Sequence, residues 1–542
     1  MIINTVEKKF RPSKDGKSAV STKGMVSTAF PEATAAGVQM LEQGGNAIDA
    51  ACAAAFALCV CEPQASGIGG QSMALMHING KTIAIDGSSR VPSLTHIDSI
   101  EKPERFTGYR ATTVPSTPAV LGHMHFRYGK LRWKTILEPA IEIARTGYTI
   151  TNLQHKLQQR EIEAFHSVES KSGADYFLKN GQPYNEGDLF QQDDLANLLE
   201  NIAFEGVHPF YLGEIAQKID EDMRDHGGFL RAEDLALIPW PVERRPLKRK
   251  YRNTQVFSCP PPTSGRTLLL VLLMLNNLPS KFLKKASPES FHFMAETFRK
   301  ALINRKERPF DPNTYPQTLD EKKILSREYA KALSSSIRDQ VDPTLPMVDP
   351  YPAESDTTHL SVMDKAGNAV GITQSIERVY GSKSAARGLG FLYNNYMSAL
   401  ETKDPAHPYY LRPNAIPWSS VSPVLVFHNS KPWLIAGSPG SDRIFSAISQ
   451  FLSHIIDGDM PIDQAMIRPR LHCSIGGTLS LEADRFDPAV TSYLEQVGYK
   501  IARKEPYSFY LGAIHAVLKC QSSGDFQGVA EIRRDGTAAG PQ

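Results

Sequence analysis

The sequence has few cysteines and no long apolar run. Six cysteines occur in 542 residues, and none forms a CxxC pair, so neither a zinc site of paired cysteines nor a disulfide-rich secreted scaffold is predicted. Cys52, Cys59 and Cys61 lie in an alanine-rich helical stretch, where free thiols behave as small apolar side chains. No uncharged apolar stretch reaches the length, about 18 residues, that a membrane-spanning helix needs.

A strong net charge is also missing. The 60 basic and 58 acidic residues leave a formal charge of +2, which gives no large field for nucleic acid or an anionic membrane. The 15 histidines include no HExxH or comparable spacing, and no glycine loop of the phosphate-binding or dinucleotide-binding kind is present. We therefore expect no metal or other cofactor, no nucleic-acid partner and no membrane partner.

The first twenty residues lack the apolar core of a secretory signal. Scattered lysines and polar residues predict a flexible leader over residues 1–20. Together with the unpaired cysteines, this favours a soluble protein in the reducing cytoplasm.

Apolar periodicity predicts alternating helices and strands. Helices are predicted at residues 31–41, 50–60 after a cap at Asn46, across much of 136–225, and at 267–275, 288–303 and 443–456. Strands are predicted at 73–77, 82–85, 356–364, 369–375, 390–394, 422–427 and 433–436. The segment 306–356 is rich in Pro, Asp and Tyr and is predicted to be exposed and adaptable. This alternation indicates a layered α/β fold.

The most informative stretch is a predicted hairpin whose three-residue turn ends at Gly367. Pairing the residues that flank the turn sets a register in which Thr357 faces Ser375, so two hydroxyls meet where the first strand begins. If the bond between Asp356 and Thr357 is cut, Thr357 gains a free α-amine that could act as the base for its own hydroxyl. A hairpin of β-branched residues with no catalytic role explains the same pattern.

The run TTHLSVMDKAGNAV in this hairpin resembles the start of the small subunit in the γ-glutamyltranspeptidase family of N-terminal-nucleophile hydrolases. Members of that family mature by self-cleavage before the first threonine. Further matches occur in the expected order between about residues 20 and 540: GGNAIDAACAAAFALCVCEP, SGIGGQSMALMH, VPSTPAVLG, WKTILEPAIEIARTGY, GGFLRAEDLA, PPPTSG, SSVSPVLVF and GSPGSDRI.

The resemblance implies a fold and a quaternary organisation. The fold is a four-layer αββα sandwich of the N-terminal-nucleophile hydrolase type. Self-cleavage would give a large subunit of residues 21–356 and a small subunit of residues 357–542, which together form one αββα unit. The expected assembly is a heterodimer of these two products, and its further oligomerisation is left open.

The resemblance also assigns catalytic roles. Thr357 would be the nucleophile, and the Ser375 hydroxyl would hydrogen-bond it. The GSPGS loop would stabilise the anionic intermediate through the backbone amides of Gly440 and Ser441. The family carries two adjacent glycines at the last two positions, so Ser441 would cost about 1 kcal/mol if that position requires a positive φ.

For the substrate, the resemblance implies a pocket for a carboxylate. Ser419 and Ser420 match the paired serines that hold the α-carboxylate of a γ-glutamyl group. Arg90 is the candidate for the accompanying arginine, although it lies two residues beyond the usual spacing, and an ordinary surface arginine is the alternative. Glu377 could supply a negative charge for the α-ammonium group.

Two departures from the family pattern leave the substrate class open. Tyr396, which is a further candidate for substrate binding, stands where the family has an amide or an acid. Ala399 stands where the family has the aspartate that binds the α-ammonium group. The leading prediction is a hydrolase of γ-glutamyl amides such as glutathione, with water preferred over an amine acceptor. A glutaryl-type acylase is the second possibility, and a catalytically inert relative used for binding is the third.

Overall fold

The computed structural model describes residues 7, 9–237, 241–310, 319–341 and 356–542, except for the side chains of 319–321. Its strands are, in chain order, β1 (Ser18–Ser21), β2 (Gly24–Thr28), β3 (Gln71–Ile78), β4 (Lys81–Gly87), β5 (Tyr148–Thr149), β6 (Leu189–Phe190), β7 (Val242–Arg244), β8 (Leu247–Tyr251), β9 (Thr254–Ser258), β10 (Thr358–Asp364), β11 (Ala369–Ser375), β12 (Val424–His428), β13 (Lys431–Gly437), β14 (Leu471–Cys473), β15 (Thr478–Leu481), β16 (Lys500–Arg503), β17 (His515–Lys519), β18 (Phe526–Ala530) and β19 (Thr537–Ala539).

Helices in the same residues fall mainly between β4 and β10 and after β13. They are α1 (Pro31–Glu42), α2 (Ala47–Cys61), α3 (Thr117–Tyr128), α4 (Trp133–Thr146), α5 (Asn152–Ser167), α6 (Ser172–Phe177), α7 (Asp193–Glu205), α8 (His208–Leu212), α9 (Glu214–Asp225), α10 (Ala232–Ala236), α11 (Gly265–Leu275), α12 (Ser280–Lys285), α13 (Pro288–Glu307), α14 (Leu319–Ile324), α15 (Arg327–Ser335), α16 (Ile444–Ile456), α17 (Ile462–Met466) and α18 (Pro488–Gln496). In the described part of the chain, no helix is long and apolar enough to cross a membrane.

Two antiparallel sheets of seven strands each form the centre of the molecule. The first sheet has the order β1-β18-β17-β13-β12-β9-β8, and the second has the order β19-β2-β10-β11-β3-β4-β7. One apolar cluster lies between the sheets, a second covers the outer face of the second sheet with α1 and α2, and a third covers the first sheet with α11, α13 and α16. The fold is the αββα sandwich that the resemblance implies.

The hairpin β10–β11 occupies the middle of the second sheet. Its Cα partners include Thr358 with Gln374 and Met363 with Ala369, which is the predicted register. Gly367, at φ 88°, closes the turn and donates its N–H to the Asp364 carbonyl at 3.0 Å. Pairing of β10 with β2 and of β11 with β3 holds the hairpin on both sides.

Helix α2 packs on this hairpin from outside. Asn46 caps the helix as predicted, because its side chain accepts the N–H groups of Ile48 and Asp49 while Asp49 accepts the N–H of Asn46. The Asp364 carboxylate accepts the N–H of Ala47 at 2.9 Å, which ties the turn of the hairpin to the start of the helix. All fifteen residues of α2 are buried, so its alanines allow the close approach that the composition suggests.

The prediction of a flexible leader over residues 1–20 is wrong for residues within 10–20 that the structure describes as ordered. Ser18–Ser21 is an edge strand paired with β18, and Phe10 is buried. Lys17 donates to the carbonyls of Arg534 and Gly536 at 2.8 and 2.7 Å. The polar composition of this segment suits an edge strand that satisfies its backbone by pairing.

Two further predictions are corrected. Residues 390–394 do not form a strand, because turns with positive φ at Gly388 and Gly390 fold this segment back on itself and leave one isolated bridge between Ala385 and Leu392. In the segment 306–356, α14 and α15 replace the expected loop, and Ile324 is among the residues buried against the core. The predictions for 311–318 and 342–355 lie outside the described residues.

Candidate active site

Thr357 and Ser375 meet at one carbonyl group at the start of β10. The Thr357 hydroxyl donates to the Asp356 carbonyl oxygen at 2.7 Å, and the Ser375 hydroxyl donates to the same oxygen at 2.8 Å. All three residues are buried. The register of the hairpin therefore brings two hydroxyls to the bond that the sequence marks for cleavage. In this structure Ser375 bonds the Asp356 carbonyl, whereas the resemblance implies a bond from Ser375 to the nucleophile.

The orientation of the Ser375 hydroxyl is fixed by Glu377. The Glu377 N–H donates to Ser375 Oγ at 2.8 Å, and the Glu377 carbonyl accepts the Asp356 N–H at 2.8 Å. Because Ser375 Oγ accepts one hydrogen bond, its own proton is free to point at the Asp356 carbonyl. Glu377 has φ 78°, a conformation that costs a non-glycine residue about 1 kcal/mol or more.

The Asp356 carboxylate is held by a buried ion-pair cluster. Arg534, between β18 and β19, donates to the Asp356 carboxylate and also to Glu62 at 2.7 Å. Burial raises the pKa of Glu62 to about 7, with the Arg534 charge opposing the rise and the Asp356 charge adding to it. The Thr357 N–H donates to the Asp356 carboxylate at 2.8 Å. The residue before the candidate scissile bond is thus fixed through both its backbone and its side chain.

The loop after β13 contains Gly440 and Ser441. Gly440 has φ 125° and Ser441 has φ 52°, so the positive φ that the sequence analysis names as a cost for Ser441 is present. A Cβ on Gly440 would lie 3.0 Å from the Cα of Gly512, and Ser438 Oγ accepts the Ala513 N–H at 2.9 Å. The loop is therefore held by the segment that precedes β17.

This loop lies near the start of β10. Gly437, its first residue, contacts the His359 ring, since an added Cβ would lie 2.3 Å from that ring. Arg443, which follows the loop, is buried; burial lowers its pKa, and the Asp356 charge is among the charges that oppose this. Loop and candidate scissile bond therefore belong to one region of the molecule.

Tyr396 lies in the 3-10 helix Tyr396–Ala399 and is fully buried. Burial raises the pKa of Tyr396, the Glu377 charge adds to the rise, and interactions with the side chains of Ser375 and Gln71 oppose it. The Tyr396 N–H donates to Asn394 Oδ1 at 3.2 Å. Of the five residues predicted to bind substrate, Glu377 and Tyr396 are the ones whose contacts reach Ser375.

The other three predicted substrate-binding residues have contacts elsewhere in the described chain. Arg90 donates to the Asn414 carbonyl at 3.1 Å. Ser419 is buried, and its N–H donates to the Pro262 carbonyl at 3.2 Å, whereas Ser420 is partly exposed. None of these contacts involves Thr357 or Ser375.

Several residues at this site are absent from the sequence-based prediction. Glu62 lies at the end of the motif GGNAIDAACAAAFALCVCEP, and an acidic residue at the end of this apolar run, shortly before a glycine-rich turn, is a signal that could have identified it. Gln71 lies in the next motif and faces Ser375 as its Cα partner on β3. Arg534 gives no local signal, because only the tertiary fold brings it to Asp356.

Comparison with known proteins identifies the family. The sequence profile described as "Gamma-glutamyltranspeptidase" matches residues 33–541. The chain belongs to the gamma-glutamyltranspeptidase family. It is 32% identical over 536 residues to the glutathione hydrolase proenzyme of Escherichia coli (strain K12), covering 94% of this chain and 90% of that protein.

The relatives include acylases as well as glutathione hydrolases. The acylase ACY 1 proenzyme of Pseudomonas sp. (strain V22) is 29% identical over 548 residues, with 96% of this chain and 94% of that protein covered. The crystal structure of cephalosporin acylase from Bacillus halodurans matches with a TM-score of 0.89 and 26% identity, covering 98% of each chain. The chain is thus a member of an enzyme family with an N-terminal-nucleophile hydrolase fold.

Proposed function

We propose that this chain is a self-processing amidohydrolase that cleaves γ-glutamyl amides through an acyl-threonine intermediate. The observation that carries the proposal is the convergence of the Thr357 and Ser375 hydroxyls on the Asp356 carbonyl oxygen, at 2.7 and 2.8 Å. A structural threonine gains nothing from a second hydroxyl on its preceding carbonyl. A nucleophile about to attack that carbonyl needs the oxygen polarised.

Self-cleavage begins with attack by Thr357 Oγ1 on the Asp356 carbonyl carbon. The bond from that carbon to the Thr357 nitrogen breaks, and the hydroxyl proton passes to the nitrogen, which leaves an ester between Asp356 and Thr357. Water then hydrolyses the ester. The products are chains of 356 and 186 residues, and the second begins with Thr357, which now carries a free amine.

Turnover of a substrate amide repeats this chemistry in the mature protein. The Thr357 amine accepts the hydroxyl proton as the oxygen attacks the amide carbonyl, and then passes it to the departing amine. The amides of Gly440 and Ser441 are our candidates for donors to the anionic intermediate. Water releases the acyl group. We propose that hydrolysis exceeds transfer to an amine acceptor and that no cofactor takes part.

For the acyl group, we propose a γ-glutamyl unit, as in glutathione. Arg90, Ser419 and Ser420 are proposed to bind its carboxylate, and Glu377 its ammonium group. Support comes from the glutathione hydrolase proenzymes among the relatives and from the contacts of Glu377 with Ser375 and Asp356. The large chain, which contains the subunit of residues 21–356, and the small chain of residues 357–542 are proposed to remain together as a heterodimer.

Replacement of Thr357 tests the mechanism. We expect the purified wild-type chain to give two bands on denaturing electrophoresis and a new amino terminus at Thr357 by mass spectrometry. Thr357→Ala should give one full-length band and no hydrolysis of a γ-glutamyl anilide, whereas Thr357→Ser, which keeps the hydroxyl, should still be cut. Cleavage of Thr357→Ala, or a different new terminus, would contradict the proposal.

A second candidate, a glutaryl-type acylase, is favoured by the site that should bind the ammonium group. Ala399 offers no carboxylate, and Tyr396 presents a neutral phenol near Ser375. Rates on a γ-glutamyl anilide and on its glutaryl counterpart separate the candidates. Turnover of both supports the first proposal, and use of the glutaryl compound alone supports the acylase.

A further inference from the structure

A third side chain continues the row formed by Thr357 and Ser375. Ser375 and Gln71 are Cα partners on β11 and β3, and the register of β10 with β11 places Thr357 opposite Ser375. Directly opposite residues on neighbouring strands point to the same face of a sheet. Thr357, Ser375 and Gln71 therefore lie in one line across three strands, a span of about 10 Å.

The amide of Gln71 has a defined orientation. Its Oε1 accepts the Ser89 N–H at 2.8 Å, and because only an oxygen can accept this bond, the other end of the amide must be the nitrogen. Gln71 is 2% exposed. Gln71 Nε2 forms no hydrogen bond of good geometry with any described residue. Its side chain interacts with the Tyr396 hydroxyl, and since the amide nitrogen carries two N–H groups, at least one donor is buried without a partner.

An unused buried donor is costly unless something else binds it. Such a group has lost its hydrogen bond to water on folding and has gained none in return. Tyr396 lies close to both Ser375 and Gln71, since their side chains both act on its pKa, so the Gln71 amide faces the same space as the reacting hydroxyls. That space contains neutral donors at the end remote from Thr357, where a substrate acyl group would terminate.

We infer that Gln71 Nε2 is an additional donor to the distal carboxylate of the acyl group, the carboxylate for which Arg90, Ser419 and Ser420 are proposed above, and that Gln71 is a specificity-determining residue of this chain; the inference rests on the proposed function of Thr357. Three consecutive bonds of an extended chain span about 3.5 Å. An extended acyl group of about five carbons on Thr357 Oγ1 therefore reaches past Ser375 on the neighbouring strand. Both γ-glutamyl and glutaryl groups carry a carboxylate at that position. An acyl group of equal length without a carboxylate leaves the donors unused.

Two isosteric variants test the role of Gln71. Gln71→Glu keeps the oxygen that accepts the Ser89 N–H and removes the donor, and Gln71→Met removes both. The measurement is kcat and KM on glutaryl and pentanoyl anilides of the same leaving group. For both variants we expect kcat/KM on the glutaryl compound to fall about 10- to 100-fold through KM, the range for loss of a hydrogen bond to a charged group, with the pentanoyl compound little changed.

The matched control is Gln374→Met. Gln374 is buried on β11 next to Ser375, but its amide donates to the Ala55 carbonyl at 3.0 Å on the α2 side of the sheet, so we expect both substrates to respond equally. An unchanged glutaryl-to-pentanoyl ratio in both Gln71 variants would overturn the inference. Self-cleavage of each variant confirms its folding.

A binding measurement covers the case in which wild-type protein hydrolyses neither anilide. Glutarate should raise the Tm of the cut wild-type protein more than pentanoate does, and Gln71→Glu should remove the difference. Equal shifts in wild type would overturn the role of Gln71. Failure of the proposed function has a separate signature, namely a wild-type chain that is never cut at Thr357.

Discussion

At the scale of single residues, Ser375 is the side chain whose role in this structure is most specific. One hydrogen bond, from the Glu377 N–H, fixes its lone pairs, and its proton points at the Asp356 carbonyl. In the proposed mechanism, this arrangement polarises the carbonyl that Thr357 would attack. The buried Arg534, which pairs with both Glu62 and Asp356, keeps that carbonyl from moving away.

Ser375→Ala should slow self-cleavage strongly without preventing it. Removal of one donor to a developing oxyanion costs about 10²- to 10³-fold in rate, so full-length protein should accumulate and be cut over a much longer incubation. Ser375→Thr, which keeps the hydroxyl, is the control and should be cut at close to the wild-type rate. The rate is measured from band intensities over time. An Ala variant cut as fast as wild type would assign Ser375 no part in the step.

At the scale of secondary-structure elements, the hairpin β10–β11 could be predicted in detail from the sequence. Two alternating runs and a turn ending at Gly367 specify the register, because a slip by one residue would turn every side chain to the wrong face. The N-cap at Asn46 could also be predicted from the sequence, because a capping residue bonds only within the first turn of its own helix.

What the sequence could not supply are the contacts between distant elements. Arg534 reaches Asp356 from 178 residues away, and no local pattern marks a partner at that separation. The same holds for β1, whose pairing with β18 joins residues 18 and 529. Residues 390–394 look like a strand by composition, but the glycines at 388 and 390 adopt positive φ and fold the segment into turns.

Gly367→Ala tests how the hairpin register is held. Gly367 has φ 88°, and an added Cβ would meet only the flexible end of Lys519, at 3.7 Å, so an alanine costs about 1–2 kcal/mol through backbone conformation. We expect this loss of unfolding free energy in urea unfolding of the double variant that also carries Thr357→Ala, which prevents self-cleavage in the proposed mechanism. In the single variant Gly367→Ala, which keeps Thr357, self-cleavage should be unimpaired, because β2 and β3 also hold the register of the hairpin.

Gly80→Ala is the matched control for this substitution. Gly80 has φ 76° and no atom within 4 Å of an added Cβ, in the turn between β3 and β4. The two variants should lose similar stability. Slower cleavage in Gly367→Ala alone would mean that the turn, rather than the neighbouring strands, sets the register.

At the scale of the whole molecule, the interior between the two sheets contains neutral imidazoles. Burial lowers the pKa of His359 to about 3, and it lowers the pKa of His515 well below its ordinary value. The His359 ring bonds Thr373 at 2.8 Å and Ser361 at 3.0 Å. An unfolded chain would bind a proton at each ring near pH 6.5, whereas the folded chain does not, so acid favours unfolding.

The contribution of His359 to this acid sensitivity can be measured by difference. Its lowered pKa stabilises the fold above pH 6.5, and this stability is lost as the pH falls from 6.5 towards 3, by up to about 1.4 kcal/mol per pH unit. In the Thr357→Ala background, adding His359→Gln should therefore flatten the fall of unfolding free energy over that range. Exposed His96, changed to Gln, is the control that should leave the slope unchanged. Equal slopes for all three proteins would contradict a buried neutral His359.

The order of strands in the two sheets has a practical consequence for a cut molecule. Each sheet pairs strands from both sides of residue 356: β2 lies between β19 and β10 in the second sheet, and β1 and β9 flank the four strands from β18 to β12 in the first. Neither product could leave by dilution, because departure would open main-chain hydrogen bonds in both sheets at once. An affinity tag on either fragment would consequently recover both in equal amounts, and only a denaturant would reveal that the polypeptide had been divided.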